Sequence, residues 1–258
     1  MYCLDVPREG GGVAFSSPLF EGRFVRRLNR FAAEVELGGR NQVVHVPNTG
    51  RMGQLLTPGS RVILADRGSP SRSTTHDLIL VDINDPDADA DPSWVLIDSR
   101  TPMDVFFRAL RDARIPEFTG YDVFEREKTR GGSRFDFRLS ARSRRPCWVE
   151  LKSVTFAAPS PWGREARFPD APTARGVRHL EHLIDAVAGG HRCAVVLAVC
   201  RPDAGIAACN EEVDPLFSET LWKAACAGVE VYAYRFLSDP AEGCRLQDRL
   251  PVRISRIR

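Results

Sequence analysis

Two short segments carry side chains suited to phosphodiester hydrolysis. One is Ser133-Arg134-Phe135-Asp136-Phe137; the other is Cys147-Trp148-Val149-Glu150-Leu151-Lys152-Ser153-Val154. Residues two apart in a strand share a face. Cys147, Val149 and Leu151 then enter the core, and Glu150 and Lys152 lie side by side opposite them. In the preceding strand Phe135, Phe137 and Leu139 form the apolar set, with Asp136 opposite. Pairing the strands brings two carboxylates and one ammonium together.

Hard carboxylate oxygens at Asp136 and Glu150 suit Mg²⁺ or Mn²⁺, which keeps waters and accepts a phosphate oxygen. Such a cation lowers the pKa of its water and stabilises charge developing on the phosphoryl oxygens. Lys152 is placed to orient or deprotonate the attacking water, a task closed to an ever-charged guanidinium. Only three of the 36 basic residues are lysines (Lys128, Lys152, Lys223), so a lysine here stands out in an arginine-rich chain. Glu125 is a candidate third carboxylate, with Glu127 its rival. The plainer alternative is an exposed Glu150–Lys152 ion pair on a wet strand face.

The surrounding pattern supplies the strands. Ala33 to Leu37 alternates, Gly38-Gly39 provides a tight turn, and Asn41 to Val46 continues the hairpin. Further strand-like runs at Arg61 to Ala65, Leu78 to Ile83 and Trp94 to Ile97 predict a small β-barrel of the OB type. After Thr101-Pro102, Met103 to Arg114 reads as an amphipathic helix. Strands over 134–140 and 147–154 follow. Next come a helix from Thr173 to Ala188 with Val177, Leu180, Ile184 and Val187 as its stripe, and a buried strand over 193–200. A helix opened by Asp214-Pro215 and a strand over 229–236 complete the pattern. This β-β-α-β-α-β order predicts an α/β domain with a mixed sheet.

Bulk properties exclude little. The net charge of +2 does not announce a nucleic-acid binder. The balance is uneven: residues 1–72 hold ten arginines against six acids, and 73–100 hold one against seven. Seven scattered cysteines without a C-x-x-C pair, no signal-peptide pattern and no long apolar run predict a cytoplasmic protein with no membrane partner. Residues 1–17 are expected to be poorly ordered. The aspartate-rich segment 84–92 lacks the glycine and glutamate of a calcium loop and reads as a solvated acidic loop.

Five separated motifs resemble the sugar fermentation stimulation protein A (SfsA) family. They are Phe24-Val25-Arg26-Arg27-Leu28-Asn29-Arg30-Phe31, Val46-Pro47-Asn48-Thr49-Gly50-Arg51-Met52, the two strand segments above, and Phe168-Pro169-Asp170-Ala171-Pro172-Thr173-Ala174-Arg175-Gly176. The resemblance implies an α+β chain of two domains. An N-terminal OB-type β-barrel (18–98) would bind nucleic acid, and a PD-(D/E)XK nuclease-like domain (99–258) would follow it. Asp136, Glu150 and Lys152 match the nuclease triad and Glu125 the upstream acid; Asp136, Glu150 and Leu151 are the metal-holding positions. Where the family carries Pro-Asn, this chain has Pro102-Met103, and the 157–167 loop is longer than the family pattern.

The expected partner is DNA, with RNA as a second candidate; the oligomeric state stays open, a homodimer included. Candidate contacts are Arg23, Arg26, Arg27, Arg30 and Arg51, interleaved with Phe24 and Phe31 as in a stacking and phosphate-tracking groove. Arg134 joins them, as do Thr173, Arg175 and His179 at a helix start suited to phosphate. The spacing of His179 and His182 could serve a metal, but no third soft ligand accompanies them. Both are expected at the surface or behind the site. Trp162, in a Pro/Ser/Gly loop, is a further stacking candidate. The alternative to a nuclease is a DNA-binding regulator linked to sugar metabolism and lacking catalysis.

Overall fold

The computed structural model describes residues 12–68, 74–84, 91, 93–161 and 163–256. The acidic stretch at 85–90 and Trp162 lie outside them. The chain divides into two compact units, Met1–Val105 with Cys200–Pro202 and Phe236–Gln247, and Phe106–Val199 with Asp203–Arg235 and Asp248–Arg258.

The first unit holds β1 (Leu19–Asn29), β2 (Ala32–Leu37), β3 (Arg40–His45), β4 (Arg61–Asp66), β5 (His76–Asp82) and β6 (Trp94–Leu96). Their order is β3-β2-β1-β4-β5-β6, and a parallel β3–β5 pairing at His45 and Asp77 closes the first five into a barrel. β1 can serve two neighbours because it is long and irregular: it pairs with β4 through Leu19–Arg23 and with β2 beyond, with register shifts after Phe24 and Arg27. Gly38 and Gly39 both take positive φ (59° and 76°), as a two-residue hairpin turn needs. Phe24, Val35, Val44, Leu64, Leu78 and Leu80 fill the interior. At the closing seam, fully buried Asp77 accepts from Arg67 and from Arg100 (2.9 Å) and lies 2.8 Å from His45 Nδ1. Of residues 1–17, expected to be poorly ordered, 1–11 lie outside the described residues, and within 12–17 Val13 is instead buried and exchanges two main-chain hydrogen bonds with Cys244, at 2.7 and 2.8 Å.

In the remainder, α1 (Thr101–Arg111) is followed by β7 (Val123–Arg130), β8 (Ser133–Ala141), β9 (Arg144–Val154), β10 (Ala157–Ser160), β11 (Gly163–Phe168) and α2 (Ala174–Ala188). β12 (Arg192–Val199), β13 (Ile206–Cys209), α3 (Pro215–Cys226), β14 (Glu230–Asp239), β15 (Gly243–Leu250) and β16 (Val252–Arg253) complete the order. A mixed sheet runs β15-β14-β12-β9-β8-β7, and a second sheet runs β10-β11-β13-β16. The expected β-β-α-β-α-β skeleton is β8, β9, α2, β12, α3 and β14. The 157–167 segment, expected as a loop, is instead the antiparallel β10–β11 hairpin.

β9 and β12 pair in parallel over Cys147–Val154, and every residue from Cys193 to Val199 is buried. Val177, Leu180, Leu183 and Ala186 of α2 are buried in the core that includes Val195, Leu197 and Phe217. Leu183 thus takes the place expected for Ile184, which is only partly buried against that core. Thr173 caps α2 through Gly176 N (3.0 Å), and Asp214 caps α3 through Phe217 N (2.9 Å). The other Asp214 oxygen accepts from Thr173 N at 2.8 Å, so one buried carboxylate anchors the starts of both helices.

A candidate active site where two strands part

β8 and β9 pair at Ala141–Arg144, Leu139–Cys147, Arg138–Trp148 and Phe137–Val149, the last matched pair before Asp136. Past that pair the Leu151 amide donates to Asp136 Oδ2 at 2.7 Å, so a side-chain carboxylate continues the ladder. The expected alternation breaks here. Phe137 stacks on Phe107 at 6.0 Å, whereas Phe135 packs against Trp148 (5.8 Å) and His179 (5.7 Å), the neighbours of the Glu150 face. Phe135 and Phe137 therefore do not share one apolar face, and the change of side falls at Asp136.

Glu150 is 3% exposed, which excludes a wet ion pair. Its Oε1 accepts from Lys152 Nζ at 2.5 Å and lies 2.5 Å from His179 Nδ1. Its Oε2 is buried and has no hydrogen-bond partner. His179, expected at the surface or behind the site, is 5% exposed and touches the Glu150 carboxylate directly. Arg175 Nε donates to His179 Nε2 at 3.3 Å from an exposed position one turn earlier.

The electrostatics of the two acids diverge. Burial pushes the Asp136 carboxyl up to about 7, and the Glu150 charge adds to the push; the Leu151 amide, Lys152 and Arg175 oppose it without cancelling it. Burial also opposes the Glu150 charge, but Lys152 and His179 outweigh it and hold that carboxyl below its ordinary value. The pair thus holds one negative charge readily and a second only with difficulty, a cost that a divalent cation would offset. Hard oxygen donors and an unpartnered buried carboxylate oxygen fit a divalent ion of the Mg²⁺, Mn²⁺ or Ca²⁺ kind.

A family model described as the sugar fermentation stimulation protein RE domain matches residues 100–242. A second, the SfsA N-terminal OB domain, matches residues 25–97. The chain belongs to the SfsA family. A sugar fermentation stimulation protein homolog from Symbiobacterium thermophilum is 42% identical over 93% of this chain and 99% of its own length. One from Caldanaerobacter subterraneus subsp. tengcongensis is 39% identical over 84% and 90%. The solved structure of Pyrococcus furiosus SfsA in complex with Ca²⁺ matches with a TM-score of 0.82 at 26% identity, over 98% of this chain and 100% of that one. The SfsA architecture is therefore an N-terminal five-stranded OB barrel and a C-terminal mixed α/β domain of the restriction-endonuclease type.

Other residues expected at the SfsA site stand apart from the Asp136–Glu150 pair. Lys128 (2.9 Å) and Arg138 engage Glu125, and this pairing holds its carboxyl below the ordinary value. Glu127 sits at φ 53° on β7, 3.7 Å from Arg134. Among the described residues no three His, Cys, Asp or Glu side chains gather as a metal-binding group, so the structure does not bring Glu125 into one. The Thr173 hydroxyl is taken by the cap. His182 pairs with Ser133 Oγ at 2.6 Å, a contact the spacing did not suggest.

In the barrel, Arg27 is spent on the main-chain oxygens of Asn29 (2.9 Å), Arg30 (2.7 Å), Asn48 (3.1 Å) and Arg51 (3.4 Å), which tie together the loops that follow β1 and β3. Arg23 donates to Gly59 O at 3.1 Å, and Arg26 pairs with Glu34 at 2.6 Å. Arg30 lies over the half-exposed Phe31 ring at 5.9 Å, and Arg51 is exposed. No helix among the described residues is long and apolar enough to cross a membrane.

Proposed function

We propose that the chain is a divalent-cation-dependent phosphodiesterase acting on DNA. The observation that carries this reading is the meeting of Asp136, Glu150 and Lys152 where β8 and β9 part, with Glu150 Oε2 buried and unpartnered. A relative of known structure is described in complex with Ca²⁺, which supports a divalent ion at this fold. Asp136 and Glu150 would hold the ion, with Leu151 contributing main chain beside them; Mg²⁺ or Mn²⁺ is the working assignment. Bound there, the ion supplies Lewis acidity and a water of lowered pKa.

The chain's own groups do the rest. Lys152 contacts Glu150 and, as a three-donor ammonium, retains donors to hold the attacking water or a phosphoryl oxygen. Water adds to phosphorus, one P–O ester bond breaks, and the departing oxygen takes up a proton. Arg175, exposed at the start of α2, and the exposed Arg134 are assigned to phosphate binding, and the positive end of the helix dipole favours the same ligand.

The barrel at 18–98 is assigned the nucleic-acid grip, through Arg30, Phe31 and Arg51 more than through Arg27, and 99–258 the hydrolysis. DNA is preferred to RNA as partner. The described cysteines are free thiols, which fits a reducing compartment, and the working location is the cytoplasm.

Incubation with single- and double-stranded DNA and RNA, in Mg²⁺, Mn²⁺ or chelator, tests the proposal. Cleavage that requires metal and disappears in Asp136→Ala is expected. DNA binding that survives both chelation and Glu150→Gln, with no substrate cut, would instead make the protein a non-catalytic regulator.

A further inference from the structure

We propose that His179 is a positioning residue that dedicates one oxygen of Glu150 to the cation, and that Arg175 sets the tautomer needed for this. The inference rests on the divalent-cation reading above. Arg175 Nε donates to His179 Nε2 at 3.3 Å, so that nitrogen presents a lone pair. The N–H then falls on Nδ1, which lies 2.5 Å from Glu150 Oε1.

Lys152 Nζ reaches the same Oε1 at 2.5 Å. Both donors thus converge on one oxygen, and the other, Oε2, is left buried without a partner. A glutamate has three side-chain torsions, and a carboxylate with two equivalent free oxygens would swing and share them. With Oε1 held from two sides, the torsions are fixed and Oε2 alone faces the cation.

The scaffold keeps the clamp rigid. Leu180 and Leu183 bury the helix beside His179, Thr173 caps its start, and the Phe135 ring lies 5.7 Å from the imidazole. A ring confined in this way can orient a ligand without ever touching the metal, as partners behind metal ligands commonly do.

The test is Mn²⁺ binding to the full chain by calorimetry, with unfolding in chelator as the check on folding. Relative to wild type, His179→Ala is expected to bind Mn²⁺ about 10- to 100-fold more weakly. His179→Asn, whose amide nitrogen can stand where Nδ1 stood, recovers most of that loss. Arg175→Ala, at an exposed site that does not threaten folding, weakens binding by about 3- to 10-fold. The long-range ¹H–¹⁵N spectrum of the metal-free protein places the His179 proton on Nδ1.

Unaltered Mn²⁺ affinity in both His179→Ala and Arg175→Ala, beside a wild type that binds, overturns the positioning role alone. An Nε2–H tautomer in the spectrum overturns it as well. Absence of Mn²⁺ binding by the wild type overturns the cation reading, and the positioning role with it.

Discussion

Asp136 Oδ2 accepts the Leu151 amide at 2.7 Å, in the place where the β8–β9 ladder runs out. An acid that substitutes for a main-chain acceptor is held without a dedicated loop, since the strands that part also set its distance from Glu150. Burial beside that second acid then raises the cost of ionising Asp136, and a divalent ion would relieve it.

Asp136→Asn separates catalysis from folding. The amide oxygen can still accept from Leu151, while the repulsion with Glu150 disappears. Urea unfolding without metal at about pH 8 should show the variant more stable than wild type by up to about 4 kcal/mol, since the Asp136 pKa rises by about three units and each corresponds to about 1.4 kcal/mol. Cleavage should fall below detection. A variant less stable than wild type would contradict the electrostatic reading of the pair.

Thermal stabilisation by Mn²⁺ should depend on pH. The Asp136 pKa is raised from 3.8 to about 7, so the fold disfavours its charged form, and metal-free stability is lost as pH rises across that interval. A bound cation offsets the penalty most where it is largest. The rise in melting temperature on adding Mn²⁺ should therefore be greater at about pH 8 than at about pH 5.5. An equal or reversed difference would count against it.

Lys152→Ala should lower the cleavage rate by about 10²- to 10⁴-fold. Mn²⁺ affinity should fall less than in His179→Ala, because the lost hold on Glu150 Oε1 is offset by removal of a competing cation 2.5 Å away. Lys152→Arg should not restore the rate, since a guanidinium stays charged and does not fit a site built for a point ammonium. Full activity in the alanine variant would remove Lys152 from the mechanism.

Asp214→Ala should cost about 2–3 kcal/mol in urea unfolding, because the buried carboxylate caps α3 and accepts from Thr173 N at the start of α2. Since α2 carries Arg175 and His179, Mn²⁺ affinity should also weaken even where the variant is folded. Unchanged affinity in a destabilised variant would show that the helix start does not set the site.

The triad was legible because it obeys a local rule: Glu150 and Lys152 share a strand face, and lysine is scarce in this chain. The barrel showed itself through the Gly38-Gly39 turn and the apolar runs that became β4 and β5. His179 was picked out at the start of α2, but its contact with Glu150 was not, because that contact spans 29 residues and depends on how α2 packs, which no spacing encodes. The face change at Asp136 was equally hidden, since period-two alternation assumes an unbroken strand. β10 and β13 went unread for a different reason. Ala157-Ala158-Pro159-Ser160 and Ile206-Ala207-Ala208-Cys209 are alanine-rich and weak in strand propensity, and they become strands only by pairing with neighbours.

Anomalous diffraction from a crystal soaked in Mn²⁺ tests the central claim most directly. The account predicts a peak bounded by an Asp136 carboxylate oxygen and Glu150 Oε2, at about 2.0–2.3 Å from each, and its loss in Asp136→Ala. A fully soaked crystal with no peak there, or with Mn²⁺ bound only elsewhere, would contradict it.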